Sequence, residues 1–307
     1  MLFSRKRIKK EFNRASAKLQ SLEKQIIAGN VLQANILHSQ HKANHQQIIK
    51  NIQLAEFKVF SQWGDDGIIQ FLIDYLDIDT KTFIEFGVED YTEANTRFLL
   101  INNNWAGLIM DGSEIHMQRV KQDDFYWQYQ LTAIPAYITA ENINQLITQN
   151  GFSGEVGLLS IDIDGVDYWV WKAIDAISPV IVIAEYNSVF GGERALTVPY
   201  KANFYRKDAH FSNLYFGASV PALCDLAEEK GYVFIGCNSH GNNAYFVRKD
   251  KLKDLVPQTA ANAFVTSRFR ESRDANGNLT YINGAERVDV IKGLDIYNTR
   301  TNTIEKI

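Results

Sequence analysis

Two acidic residues, each closing a short apolar run, carry the most informative chemistry of this 307-residue chain. In Thr82-Phe83-Ile84-Glu85-Phe86-Gly87, a β-type run ends in Glu85 and Gly87 just before a helix-like segment. The first strand of a Rossmann-like sheet presents its backbone to a nucleotide-type ligand in this way. About 24 residues later, Ala106-Gly107-Leu108-Ile109-Met110-Asp111 closes a second run in a carboxylate, where a second parallel strand delivers it to ribose hydroxyls. Glu85 and Asp111 thus become neighbours at one sheet edge. Both NAD and S-adenosylmethionine meet such a carboxylate, so the pair defines a ligand class and leaves the reaction open. The later glycines of a dinucleotide fingerprint are missing, with Asp90 or Tyr91 in their place.

A second acidic group lies downstream. Asp162 and Asp164 are two apart in an apolar run, which on a strand points both to one face, and Glu185 closes the next run. Three carboxylates crowded at adjacent strand ends repel, and a cation or a proton relieves the repulsion. Either a magnesium- or manganese-type ion sits among them, or Asp162 binds cofactor or caps the next helix and the others hold substrate hydroxyls directly.

The elements that position these groups alternate from residue 57 onward. Strands are expected at about 82–88, 106–112, 131–139, 155–163 and 179–186, with a helix at 67–76, which implies a mostly parallel sheet covered on both faces. An amphipathic helix at 221–230 stops at Gly231, and 232–237 then pairs with 244–248 as an antiparallel hairpin. Asp65 or Asp66 is placed to cap the 67–76 helix. Ahead of this body, Ile8, Phe12, Ala15, Leu19, Leu22 and Ile26 alternate by four and three, one apolar stripe on a helix; the stripe stops at Gly29-Asn30, and the Gln-, Asn- and His-rich residues 31–55 continue as helix or linker. Basic residues from Arg5 to Lys18, Lys6 among them, surround that stripe. It packs on the body or a second subunit, or it meets an anionic membrane surface or glycolipid. The organisation is therefore a helical extension at 1–56, a Rossmann-like domain at 57–258 and a small β-rich appendage at 259–307 with turns at Asn276-Gly277 and Asn283-Gly284. His38, His41 and His45 have metal-like spacing but no cysteine or carboxylate company in the sequence.

The succession Phe60-Ser61-Gln62-Trp63-Gly64-Asp65-Asp66-Gly67, Glu85-Phe86-Gly87, Glu93-Ala94-Asn95-Thr96, Ser160-Ile161-Asp162-Ile163-Asp164-Gly165-Val166-Asp167-Tyr168-Trp169 and Ala184-Glu185-Tyr186-Asn187 resembles the FkbM-related class I S-adenosylmethionine-dependent methyltransferases over roughly residues 57–290. The departure is Tyr91, where many methyltransferases carry a further glycine. The resemblance implies a Rossmann-like sheet and S-adenosylmethionine as cofactor. It also implies a cofactor site bordered by Gln62, Asp65, Glu85, Gly87, Asn95, Thr96, Asp111 and Asp162. It further implies work on a sugar of a surface polysaccharide or related metabolite.

Methyl transfer requires an aligned oxygen relieved of its proton. His210 and His240, in loops near the strand ends, are candidate bases because imidazole titrates near neutrality, and Asp164 joins them as a candidate catalytic group. Tyr186, Asn187, Tyr205 and Asn242 supply the polar and aromatic lining of a carbohydrate pocket, and the insert at 188–216 reads as a substrate lid or a plain surface loop. Trp169 and Trp171 read as packing residues, as do the two cysteines, Cys224 and Cys237.

A net charge of -4 and a pI near 5.9 exclude a general nucleic-acid binder. No run is long enough to span a membrane, and the start of the chain lacks a signal-peptide core, so a cytoplasmic location is expected, peripheral at the inner membrane face if the basic helix binds lipid. Three functions stay in view: a sugar O-methyltransferase in a homo-oligomer, a nicotinamide-dependent oxidoreductase, and a non-catalytic glycan-assembly subunit that keeps the fold.

Overall fold

The computed structural model describes residues 2–307, with side chains from Arg7 onward, so Arg5 and Lys6 of the basic cluster lie outside the described side chains. Strands β1 (Thr82–Phe86), β2 (Ala106–Asp111), β3 (Leu131–Pro135), β4 (Gly154–Ile161), β5 (Ile177–Glu185), β7 (Tyr232–Cys237) and β8 (Asn243–Arg248) form one sheet in the order β3-β2-β1-β4-β5-β8-β7. β6 (Leu196–Thr197) lies outside it. All neighbours run parallel except β8, which is antiparallel to both β5 and β7. This is a Rossmann-like sheet, parallel except at the antiparallel β8. The chain reverses direction across the sheet between β1 and β4, and that switch point opens the crevice where ligands bind in such folds.

The strands form because each is an apolar run buried on both faces, as a parallel sheet requires. One apolar cluster, including Ile84, Leu159, Val182 and Phe246, covers one face; another, including Phe83, Leu158, Ile183 and Tyr245, covers the other. Gly107 belongs to this packing, because a side chain there would run into the Phe83 ring at 2.1 Å.

Several expectations need correction. The helix after the first turn begins at Asp65, with Gly64 in the capping position, and neither Asp65 nor Asp66 caps it. Asp66 instead accepts from the backbone N–H groups of Val59, Phe60 and Ser61 at 2.7–2.8 Å, pinning the preceding loop. The N-terminal helix runs through Gly29, from Leu2 to Ala43, so residues 31–43 take the helical one of the two expected forms. One helical glycine costs about 1 kcal/mol against alanine. That cost is offset because Ile27, Val31 and Ala34 pack against Phe57, Phe60 and Phe98 just beyond it. The stripe of Ile8, Phe12, Leu19, Leu22 and Ile26 faces solvent. The three histidines separate: His38 Nε2 meets Asp74 at 2.7 Å, His41 stacks on Phe57, and His45 Nδ1 bonds the Lys42 carbonyl.

The segment at 259–307 forms the small β-rich appendage together with the 188–216 insert. Its only two strands, β9 (Asp295–Asn298) and β10 (Thr303–Lys306), join β6 from the 188–216 insert in a three-stranded antiparallel sheet. Ile291 and Ile296 enter the main core. Among the described residues, no helix is long and apolar enough to cross a membrane. Trp171 is buried among Tyr232 and Phe246, Trp169 donates to the Val198 carbonyl, and both cysteines are free.

Close approach of the extension to the body sets one strict demand. A Cβ at Gly67 would lie 2.0 Å from the Ala55 carbonyl oxygen and 2.4 Å from the Phe57 nitrogen, backbone that cannot give way. Gly67→Ala is therefore expected to lower the urea midpoint, by about 1–3 kcal/mol of stability. Gly29→Ala, where nothing lies within 4 Å, should leave the midpoint unchanged or raise it.

Candidate functional site

A cavity of about 920 Å³ lies over the carboxyl ends of the central strands. Its first half is set by Gly87, which leaves β1 at φ +72°; a Cβ there would lie 1.5 Å from the Asp162 carbonyl oxygen, so only glycine lets the β1 and β4 turns touch. Asp111, at the end of β2, accepts from Glu89 N at 2.9 Å and Ser113 N at 2.7 Å, which fixes the carboxylate and leaves lone pairs for a ligand. His116 stands 3.6 Å from it. Glu85 also reaches the cavity, but its oxygens receive Asn95 N at 2.8 Å, Thr96 N at 3.0 Å and the Thr96 hydroxyl at 2.5 Å. Burial pushes its carboxyl up to about 7 against those bonds, and its first task is to hold the 95–96 turn. Tyr91 adopts φ +62° with its ring fully buried and its hydroxyl 2.9 Å from Thr96 Oγ1, so this residue takes a left-handed conformation that usually falls to glycine.

The second half holds the acidic cluster. Asp162, Asp164 and Glu185 each offer an oxygen within 4.8 Å of the others, and among the described residues they are the one such group. They meet for a different reason than strand alternation: β4 ends at Ile161, and a turn with Asp164 at φ +53° brings the two aspartates round. Asp167 shapes that turn by accepting from Ile163 N at 2.8 Å and Gly165 N at 2.9 Å; burial pushes its carboxyl up to about 6. Burial, with repulsion from neighbouring carboxylates added, raises Asp162 and Glu185 well above the usual range. Oε2 of Glu185 is buried with no hydrogen-bond partner. Asp164 is paired with Arg206, whose guanidinium also donates to the Asn213 carbonyl and approaches Glu271 at 3.4 Å. Burial alone would lower the Arg206 pKa, but Asp164, Glu185 and Glu271 raise it overall.

The cavity gathers Gln62, Glu85, Gly87, Asn95, Asp111, Asp162, Asp164, Glu185, Tyr205 and Asn242 from among the expected site residues. Six others do not line it. Asp65 is buried, and one of its oxygens receives Asn238, Asn243 and Tyr245. Thr96 is spent on Glu85 and Tyr91. Tyr186 donates to the Val265 carbonyl at 2.6 Å, and Asn187 donates to the Leu214 and Phe216 carbonyls. His210 pairs with Ser212 at 2.7 Å, and His240 stacks on Trp63 at 4.2 Å, behind the cavity wall. Sequence reasoning missed Arg206, Phe269 and Glu271, which carry no motif signal and reach the site only because the 188–216 insert and the 259–307 segment fold over it, and His116, which comes from the helix Glu114–Gln122 after β2.

No protein-family model and no curated protein matches the chain. Among solved structures, it is similar to the DszA carbon methyltransferase at 14% identity and a TM-score of 0.38, over 63% of this chain and 54% of that one, so it spans about half that protein's length. It is similar to the N-terminal domain of EvdMO1 with SAH bound at 10% identity and a TM-score of 0.40, over 61% and 80%. A putative O-methyltransferase from Klebsiella pneumoniae is 12% identical with a TM-score of 0.35, over 60% and 79%. Likeness at this level carries no functional argument; the fold stands on the sheet's own strand order.

Proposed function

We propose that this chain is an S-adenosylmethionine-dependent O-methyltransferase of the FkbM-like kind, acting on a sugar hydroxyl of a surface polysaccharide or related metabolite. One observation carries the reading: the Gly87–Asp162 backbone contact joins a ribose-type carboxylate, Asp111, to the Asp162–Glu185 carboxylate pair, with an unpartnered Glu185 oxygen, in a single cavity. The residues fit the cofactor. Asp111 keeps lone pairs for two ribose hydroxyls, Gly87 gives backbone access, and Gln62 and Asn95 border the remaining length. When bound, S-adenosylmethionine supplies an electrophilic methyl group. Glu185 Oε2, unpartnered and beside Asp162, would take the proton of the acceptor hydroxyl. Arg206 holds Asp164 away from that step. A nicotinamide-dependent oxidoreductase is disfavoured by the missing glycines and the antiparallel β8.

A second reading places magnesium or manganese among Asp162, Asp164 and Glu185. The all-oxygen set within 4.8 Å suits such an ion, and the unpartnered Oε2 would receive it. Arg206 already neutralises part of the cluster.

We further propose that the exposed stripe pairs with a second copy of the helix, because its three-and-four spacing is that of a coiled-coil seam and twofold closure is the commonest assembly. An anionic membrane surface at the cytoplasmic face is the competing partner for the basic helix.

Calorimetric titration should detect S-adenosylmethionine and not NAD, and Asp111→Ala should weaken binding by about 1–3 kcal/mol. Excess chelator should leave turnover intact; its loss, with rescue by magnesium, would favour the metal. NAD binding, or no binding of either, contradicts the methyltransferase reading.

The base assignment has a pH signature. Because Asp162 and Glu185 are raised in the folded state, stability is full below the unfolded values, about pH 4, and is lost as pH rises through the folded ones. Glu185→Gln should therefore gain a few degrees in Tm over the wild type at pH 8, gain less at pH 5, and lose turnover by roughly 10²–10⁴. A lower Tm at pH 8 would count against a penalised buried charge.

Removing residues 1–22 deletes most of the exposed stripe and spares the Ile27–Ala34 packing, so light scattering should show a dimer become a monomer with the cofactor still bound. An unchanged mass would point instead to vesicle binding.

A further inference from the structure

One wall of the cavity carries hydrogen-bonding groups that nothing in the protein satisfies. Glu185 and Asn243 are directly opposite in the β5–β8 pair, which puts their side chains on one face as nearest cross-strand neighbours. Asn243 is 3% exposed, and its amide nitrogen donates to Asp65 Oδ1 at 3.0 Å. That aspartate oxygen also receives Asn238 and Tyr245, so it acts as an acceptor and fixes the amide with nitrogen towards it and oxygen away. Asn243 Oδ1 is left with no partner, as are Glu185 Oε2 and the indole N–H of Trp63, which lies two residues from Asp65. Trp63 is held flat by His240 at 4.2 Å and 8°, with Phe269 parallel to it at 6.5 Å. Trp63, Asn243, Glu185 and Phe269 all line the same cavity.

Leaving a buried donor or acceptor unpaired is unfavourable, and a ligand group that pairs it gains roughly tenfold or more in affinity. Two acceptors and one donor lining the same cavity are satisfied by groups that both donate and accept. A phosphate or carboxylate would pair with Trp63 alone and would meet eight lining carboxylates against the two cations Arg206 and Lys207. An ammonium group would pair with the acceptors and leave the indole N–H unmet. Neighbouring hydroxyls meet all three, and the flat aromatic surface suits the C–H face of a sugar ring.

We infer that Trp63, Asn243 and Glu185 form the acceptor subsite, which grips a vicinal diol on an uncharged sugar ring beside the hydroxyl to be methylated. The inference rests on the methyltransferase reading. It assigns acceptor recognition to Trp63 and Asn243, while Tyr186 and Asn187 stay structural.

Saturation-transfer NMR on the full chain, with and without S-adenosylhomocysteine, tests it. The probes are the methyl glycosides of mannose, rhamnose and galactose, compared with methyl glucuronide and glucose 6-phosphate. At least one neutral glycoside should show transfer and neither anionic sugar should. Trp63→Phe, which keeps a ring and removes the N–H, and Asn243→Ala should each cut the signal about tenfold or more, as one lost hydrogen bond predicts. Their calorimetric affinity for S-adenosylhomocysteine should stay within about twofold, which also reports that they fold. Bound S-adenosylhomocysteine with no neutral glycoside bound, anionic sugars bound equally well, or undiminished signals in both variants would overturn the subsite alone. Sugar binding without any S-adenosylhomocysteine binding would overturn the methyl-transfer reading and leave the subsite standing.

Discussion

Burying a carboxylate obliges the fold to surround it with donors, and this protein uses that obligation to fasten its loops. Asp66 pins residues 59–61, Glu85 pins 95–96, Asp111 ties Glu89 to Ser113, and Asp167 shapes the turn at 163–165. Asp65 does the same for the β7–β8 hairpin through Asn238, Asn243 and Tyr245. Each group trades a desolvation cost for several hydrogen bonds, and each bond set makes one rim of the crevice rigid. Asp162 and Glu185 stand apart. Glu185 is buried and Asp162 half-buried, repulsion between them is not answered by a ring of backbone donors, and one Glu185 oxygen is left without a hydrogen-bond partner. Carboxylate repulsion kept beside an unpartnered oxygen in one cavity marks a place for chemistry more sharply than any single motif.

Arg206 shows how the outer segments become part of the centre. It comes from the insert after β5, its guanidinium lies 3.8 Å from the centre of the Phe216 ring, and it bridges Asp164 to Glu271 of the C-terminal segment. The three-stranded sheet of β6, β9 and β10 binds the same two segments to each other. The roof of the cavity and the charge balance of its floor therefore depend on one side chain.

The sheet was legible in the sequence because apolar runs closing in Glu85, Asp111 and Glu185 are long enough to read and because strand and helix alternate regularly. Strand ends were less so: 131–139 and 155–163 were expected to run further than β3 and β4 do, and the Asp162–Asp164 pairing proved to be a turn. The polar residues were harder still. Asp65, Thr96 and Asn187 have the types and places of ligands, but their hydrogen-bonding capacity is spent internally, a fact set by partners such as Tyr245, Glu85 and Leu214 that are distant in the chain. His210 and His240 were chosen for their chemistry, and their ring contacts with Ser212 and Trp63 settle their place outside the cavity. Beyond Gly29 the sequence left helix and linker open, because the packing on Phe57 and Phe98 that outweighs one glycine involves residues distant in the chain.

The central claim is that one crevice spanning Gly87 joins a cofactor half at Asp111 to an acceptor half at Glu185. A crystal structure with S-adenosylhomocysteine bound tests it most directly. The account predicts ribose hydroxyls on Asp111 and the sulfur directed toward Asp162 and Glu185. Ligand bound elsewhere, or bound with its sulfur turned away from that pair, would contradict it.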